Sequence, residues 1–230
     1  MSNLFSSSIG RKLIMSLSGA FLILFLLFHA SMNLVAVFSA DAYDAICEFL
    51  GANWYALAAT AVLAAGTIIH FVYAFILTMG NIKARGKERY AVLETPKDVS
   101  WASRNMFVLG VIIVCGLLIH LFNFWYNMQL VELMGGHVNS LGTSPVSGAE
   151  LIAIHFSNPL YCLVYLVWFV AIWFHLTHGF WSAFQSLGWG NQIWLPRLQC
   201  IAKLVATVIC LAFAVVVVVF YLRSLCGAAC

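Results

Sequence analysis

A chain of 230 residues that is 63% hydrophobic and only 8% charged does not form a water-soluble globule, since soluble domains average roughly 45–50% apolar and about 25% charged. Disorder and nucleic-acid binding are excluded on the same ground, because a net charge of +3 spread over so much apolar surface makes no basic patch. An integral membrane protein remains, built from helices that each need about 20 apolar residues in succession.

Five charge-free stretches meet that requirement, near residues 13–38, 54–79, 105–130, 160–187 and 204–222. The first is too long for a signal-peptide core of about 7–15 residues and reads as a helix. All four prolines, Pro96, Pro145, Pro159 and Pro196, lie outside the stretches or at their edges. Asn158-Pro159 predicts an N-cap and first helical position for the fourth span. No short-period repeat appears, so residues 1–230 read as a single transmembrane domain: an all-α membrane protein with five helices.

Charge sets the expected orientation. Arg11 and Lys12 precede the first helix, while Lys83, Arg85, Lys87, Arg89, Lys97 and Arg104 lie between the second and third, and Arg197 and Lys203 precede the fifth. If the spans alternate, these cations share one side and only Arg223 falls on the other, with Asp41, Asp44, Glu48, Glu132 and Glu150. The positive-inside rule then predicts a cytoplasmic N-terminus. Seven cysteines without a C-x-x-C, most of them inside apolar runs, read as small hydrophobes. Only Cys226 and Cys230 at the tail leave pairing open.

No Asp, Glu, Lys or Arg sits inside a span, but histidines do: His29, His70 and His120 in the first three, His175 and His178 in the fourth. Polar groups at that depth are costly and usually functional. His29 lies about 12 residues before Asp41 and His120 about 12 before Glu132, on helices running the same way, so both sit roughly 18 Å below the outer acids. His70 and His178 each lie about 22–23 residues, or roughly 33 Å, along from outer markers. The histidines thus form two pairs in layers separated by about 15 Å. A lone metal ion wants three or four ligands at one level. Two per layer on different helices suits haem bound by histidine from both faces. Gly66 and Gly116, each four residues before a candidate ligand, and Gly179 after His178 could make room for a macrocycle or serve helix packing. His137 and His155 fall in an outer connector and read as surface histidines, with His155 a lesser candidate for lining a quinone site.

Ser16-Leu17-Ser18-Gly19 leading into His29, and the string from His178-Gly179-Phe180-Trp181-Ser182 to Leu187-Gly188-Trp189, resemble the di-haem cytochrome b membrane subunit of bacterial succinate:quinone oxidoreductases, the succinate dehydrogenases and fumarate reductases. The resemblance covers nearly the whole chain and implies a haem-binding bundle formed by the first four helices. It implies two haem b groups, the outer held by His29 and His120 and the inner by His70 and His178. It further implies Ser16 beside a haem propionate with Arg104 assisting through charge, and Glu48, or its neighbour Asp44, near a quinone, commonly menaquinone. A flavoprotein subunit with FAD and an iron–sulfur subunit would dock on the cytoplasmic side, against the connector from Asn81 to Asn105, and complexes could dimerise. The expected location is the bacterial inner membrane. Some relatives carry a proton-conducting glutamate two residues before the last ligand; here that position is Leu176, with His175 beside it. Two other classes stay open: a di-haem conduit for another dehydrogenase, hydrogenase or reductase, and a haem-free transporter or anchor.

Overall fold

The computed structural model describes residues 7–85 and 100–227; Lys87, Arg89, Pro96, Lys97 and Cys230, and with them much of the connector expected to dock partner subunits, lie outside these. Among the described residues every regular element is helical. Helix α1 (Ser8–Phe38) starts where the Ser7 hydroxyl accepts from Gly10 N at 3.0 Å. It stops at Ser39, whose extended backbone breaks the helix and whose hydroxyl caps α2 (Ala40–Phe49). Helix α3 (Trp54–Arg85) and a short α4 (Trp101–Arg104) follow. The third long element begins as α5 (Met106–His120), widens into a π-helical segment over Leu121–Leu130 and closes with α6 (Val131–Leu133). Helix α7 (Gly148–Phe156) lies across one end of the bundle. Asn158 caps α8 (Pro159–Phe184), its side-chain oxygen accepting from Leu160 N at 2.9 Å, with proline next in the helix, as the sequence predicts. A π-helical turn carries α8 on to Trp189, where Gly188 takes the left-handed φ of 96° that a side chain would resist. Helix α9 (Trp194–Gly227) completes the chain.

Among the described residues five helices are long and apolar enough to cross a membrane: Ser8–Phe38, Trp54–Ala84, Met106–Leu133, Pro159–Trp189 and Trp194–Gly227. They outrun the charge-free stretches, most of all the fifth, which starts ten residues earlier than expected. Its first turns carry Arg197 and Lys203, because a helix continues through charged turns at the edge of an apolar slab when nothing breaks it.

The main core lies between α1, α8 and α9, where Ile23 and Ala30 meet Phe169 and Ile172, and Ala206, Ile209 and Val217. Small residues bring α9 close: Ala202, Ala206 and Ile209 are fully buried. Around this core α1 neighbours α3 and α8, and α5 neighbours α8. The helices α1, α3, α5 and α8 therefore stand at the corners of a four-helix square, with α1–α5 and α3–α8 as its diagonals. Helix α3 packs along α1 and makes no comparable backbone approach to α5 or α8.

Glycine notches set two of these contacts. The Phe21 ring of α1 lies against Gly66 of α3, 2.9 Å from where a Cβ would stand, and the Trp168 indole of α8 lies in the Gly116 notch of α5. Trp168 also donates from Nε1 to the Ile113 carbonyl at 3.1 Å. Gly116→Ala is expected to push that indole out and to destabilise the protein by about 1–3 kcal/mol through overpacking. Thermal unfolding in detergent measures this; an unchanged midpoint would show the α5–α8 contact to be soft. The six cysteines among the described residues are free. Buried Cys162 and Cys210 donate weakly to the Phe156 and Phe169 carbonyls, in keeping with packing roles.

Candidate functional site: paired histidines across the bundle

The four-helix square brings its histidines together across both diagonals. His29 of α1 faces His120 of α5 with ring centroids 5.8 Å apart and planes at 80°. His70 of α3 faces His175 of α8 at 6.4 Å and 68°. Two imidazole nitrogens each about 2 Å from one metal centre put their ring centroids roughly 6 Å apart. Both separations are near that value and also lie within the 4.5–7 Å of ordinary edge-to-face ring packing. The levels differ as well. Gly19 lies against His70, with its Cβ position 3.2 Å from His70 Cε1, and is ten residues below His29 on α1, or about 15 Å.

His178 makes no ring contact with His70; it stands edge-on to Trp181 at 4.9 Å. His120 packs between Tyr165 and Trp168 on α8. Ten residues further along that helix lie His175 and His178, so both occupy the level of His70. The Nδ1 atoms of His120, His175 and His178 are buried without hydrogen-bond partners.

The other two imidazoles are held. Asn33, one turn after His29, places its amide nitrogen 3.3 Å from His29 Nδ1 and donates to the His29 carbonyl at 2.8 Å; Tyr43 OH donates to Asn33 Oδ1 at 3.1 Å. The Ser18 hydroxyl oxygen lies 3.1 Å from both His70 Nδ1 and the Met15 carbonyl. With the hydroxyl proton on that carbonyl, the oxygen accepts from Nδ1–H and the His70 Nε2 lone pair is free to ligate.

Ser16 is buried, 5% exposed, with its hydroxyl bonded back to the Lys12 carbonyl at 2.9 Å. Arg104 and Glu48 are both exposed, Arg104 at the end of α4 and Glu48 on α2. Near the same end of the bundle as Glu48, Glu132 accepts from Ala52 N at 3.0 Å. Beside it Gln129 donates to the Gly51 carbonyl at 3.0 Å and accepts from Thr60 at 2.9 Å, tying the start of α3 to the π-helical segment. Asp44 accepts from Ala149 N at 2.8 Å at the start of α7.

His137 is exposed as expected, but His155 is not a surface residue: it is 7% exposed. Helix α7 tucks it beneath the π-helical segment, where Nε2 donates to the Asn123 carbonyl at 3.0 Å. Burial lowers its pKa, with the bond to Asn123 opposing. The spacing of α7 carried no signal for this, because the partner is a backbone carbonyl 32 residues away.

Among the described residues no three or more His, Cys, Asp or Glu gather as a metal site. A closed three- or four-ligand site is therefore not what these residues form; opposed pairs are. The fold and site define an all-α, multi-span membrane protein with histidines paired inside its helix bundle. No family model, curated protein or solved structure matches the chain.

Proposed function

We propose that the chain is a di-haem cytochrome b: the membrane subunit that passes electrons between a quinone and the flavin and iron–sulfur subunits of a succinate:quinone oxidoreductase. The His29–His120 contact and, about 15 Å away in level, the approach of His70 to His175, with His178 one turn further along α8, carry the reading. The donor set fits the group. The His29–His120 spacing would suit one iron between two imidazoles, and the diagonal helices do not close on each other. The Trp168 and Phe21 rings would yield the Gly116 and Gly66 notches to a macrocycle.

When bound, haem supplies a one-electron centre at each level. The chain's own residues do the rest. His29 with His120, and His70 with His178, would hold the two groups, and Ser18 would favour the His70 tautomer that can ligate. Apolar walls keep water from both levels. Ser16 and Arg104 toward the propionates, Glu48 toward a quinone, the N-terminus on the cytoplasmic side and residence in a bacterial inner membrane belong to this same proposal. The resemblance in the strings around Ser16 and after His178 supports the succinate–fumarate assignment over a conduit for some other dehydrogenase, hydrogenase or reductase. Purification from a membrane settles both questions. Two b-type haems per chain by spectrum and haem extraction support the cytochrome, and a bleached preparation refutes it. A co-purifying flavoprotein and iron–sulfur protein support the succinate–fumarate enzyme, and other redox partners the alternative conduit.

Ser18→Ala is expected to retain both haems while raising the inner haem's reduction potential by roughly 40 mV, because loss of one hydrogen bond at Nδ1 makes the imidazole a weaker donor to ferric iron. Ser18→Thr should restore the original potential in a redox titration. Equal potentials in all three proteins would remove Ser18 from this role.

A further inference from the structure

Asn33 is the middle of a short hydrogen-bonded chain that ends on the outer histidine pair. One turn after His29 on α1, its amide nitrogen donates to the His29 carbonyl at 2.8 Å and lies 3.3 Å from His29 Nδ1. A backbone carbonyl only accepts, so the amide atom facing it is the nitrogen and not the oxygen. Tyr43 of α2 fixes the same orientation from the other side, its hydroxyl donating to Asn33 Oδ1 at 3.1 Å. Tyr43 is itself buried and wedged against α7, its ring 2.9 Å from where a Cβ of Gly148 would stand. The neighbouring Asp44 caps the same helix at Ala149 N. Helices α2 and α7 thus hold Tyr43, Tyr43 holds Asn33, and Asn33 faces the imidazole.

The polarity of this chain is opposite to the one at His70. An amide N–H directed at His29 Nδ1 needs a lone pair there, which puts the imidazole proton on Nε2. At His70 the Ser18 oxygen, with its own proton on the Met15 carbonyl, accepts from Nδ1–H instead. A neutral histidine does not ligate through Nε2 while its Nδ1 accepts a hydrogen bond. An amide removes the conflict almost in place, because half a turn about its last side-chain bond exchanges nitrogen and oxygen. The turn gives up the bond to the His29 carbonyl. It keeps the one to Tyr43, since a hydroxyl accepts as well as donates.

We propose that Asn33 is the positioning residue that sets the tautomer of His29, presenting its amide oxygen to Nδ1–H when His29 ligates, and that Tyr43 is the partner that follows the turn. The inference rests on the reading of the chain as a di-haem cytochrome and concerns how one of its ligands is held. An acceptor at Nδ1 makes an imidazole a stronger donor to iron and favours the ferric state. A carboxylate in place of the amide strengthens that effect, and an apolar side chain of similar size removes it. Without the Tyr43 hydroxyl the turned amide has no acceptor for its N–H groups, so Oδ1 is held less firmly at the ring.

The test is a redox titration of the full chain purified from membranes, the outer haem being the one that His120→Ala removes. Asn33→Leu is expected to raise the outer haem's potential by about 60 mV and Asn33→Asp to lower it by as much, each a tenfold change in the ferric-to-ferrous preference. Tyr43→Phe should shift it upward by less, and the inner haem's potential should stay where it is in all three. A merely structural contact would move the potential the same way in Asn33→Leu and Asn33→Asp, and that result overturns the role. Should Asn33→Leu fail to fold, the opposed signs of Asn33→Asp and Tyr43→Phe carry the test. A haem count on the same samples separates the two claims. A wild-type chain without haem refutes the cytochrome and this role with it, whereas two haems with an outer potential indifferent to the substitutions refute this role alone.

Discussion

Replacing either His29 or His120 by alanine is expected to halve the haem content, from two per chain to one, with the inner haem's absorption bands intact. The two rings face each other at 5.8 Å across the α1–α5 diagonal, and those helices make no close backbone approach that could hold a group in their place. On the proposed reading, the loss of one imidazole would leave the iron short of a ligand, and among the described residues no third His, Cys, Asp or Glu stands by the pair to replace it. Haem extraction and a reduced-minus-oxidised spectrum give the count. Two low-spin haems in His120→Ala would show that the outer centre is held elsewhere. Loss of both haems with the helices still folded would show that the levels are not independent.

His178→Ala is expected to abolish the inner haem and leave the outer one, while His175→Ala keeps both. The structure makes this contest sharp. His175 has the closer ring to His70, at 6.4 Å, yet it is flanked by the buried Leu176 and by Phe174, whose ring packs on Trp101. Beside His178, Gly179 leaves open space, the nearest atom to its Cβ position being the Met106 methyl at 3.9 Å. A planar macrocycle would need such room along the helix backbone. Should His175→Ala remove a haem and His178→Ala leave two, the roles are exchanged and the 6.4 Å contact is the coordinating one.

Much of this was legible in the sequence for a local reason. Whether a stretch crosses a membrane depends on the apolar content of some 20 consecutive residues, so five spans could be counted from the charge gaps alone. Caps are equally local: the Asn158-Pro159 start of α8 needs nothing beyond its own turn. Depth along a helix follows from counting at a fixed rise, which is why two layers of histidines emerged before any contact was known.

Tertiary structure decided what counting cannot reach. Which helices are neighbours and which are diagonal determined that His29 looks at His120 and that His70 meets His175 rather than His178, since a side chain's direction around its helix depends on packing against three others. The burial of His155, the clasp of Glu132 on Ala52 and the capping of α7 by Asp44 join residues 32, 80 and 105 positions apart. The π-helical segment after His120 has an unremarkable apolar composition, and its wider turn is expressed through buried Asn123 and Asn127, whose partners come from folded neighbours. Spans and depths are properties of single helices and can be read in one dimension; pairing and burial belong to the bundle, because only packing determines which side chains meet and which polar atoms find partners.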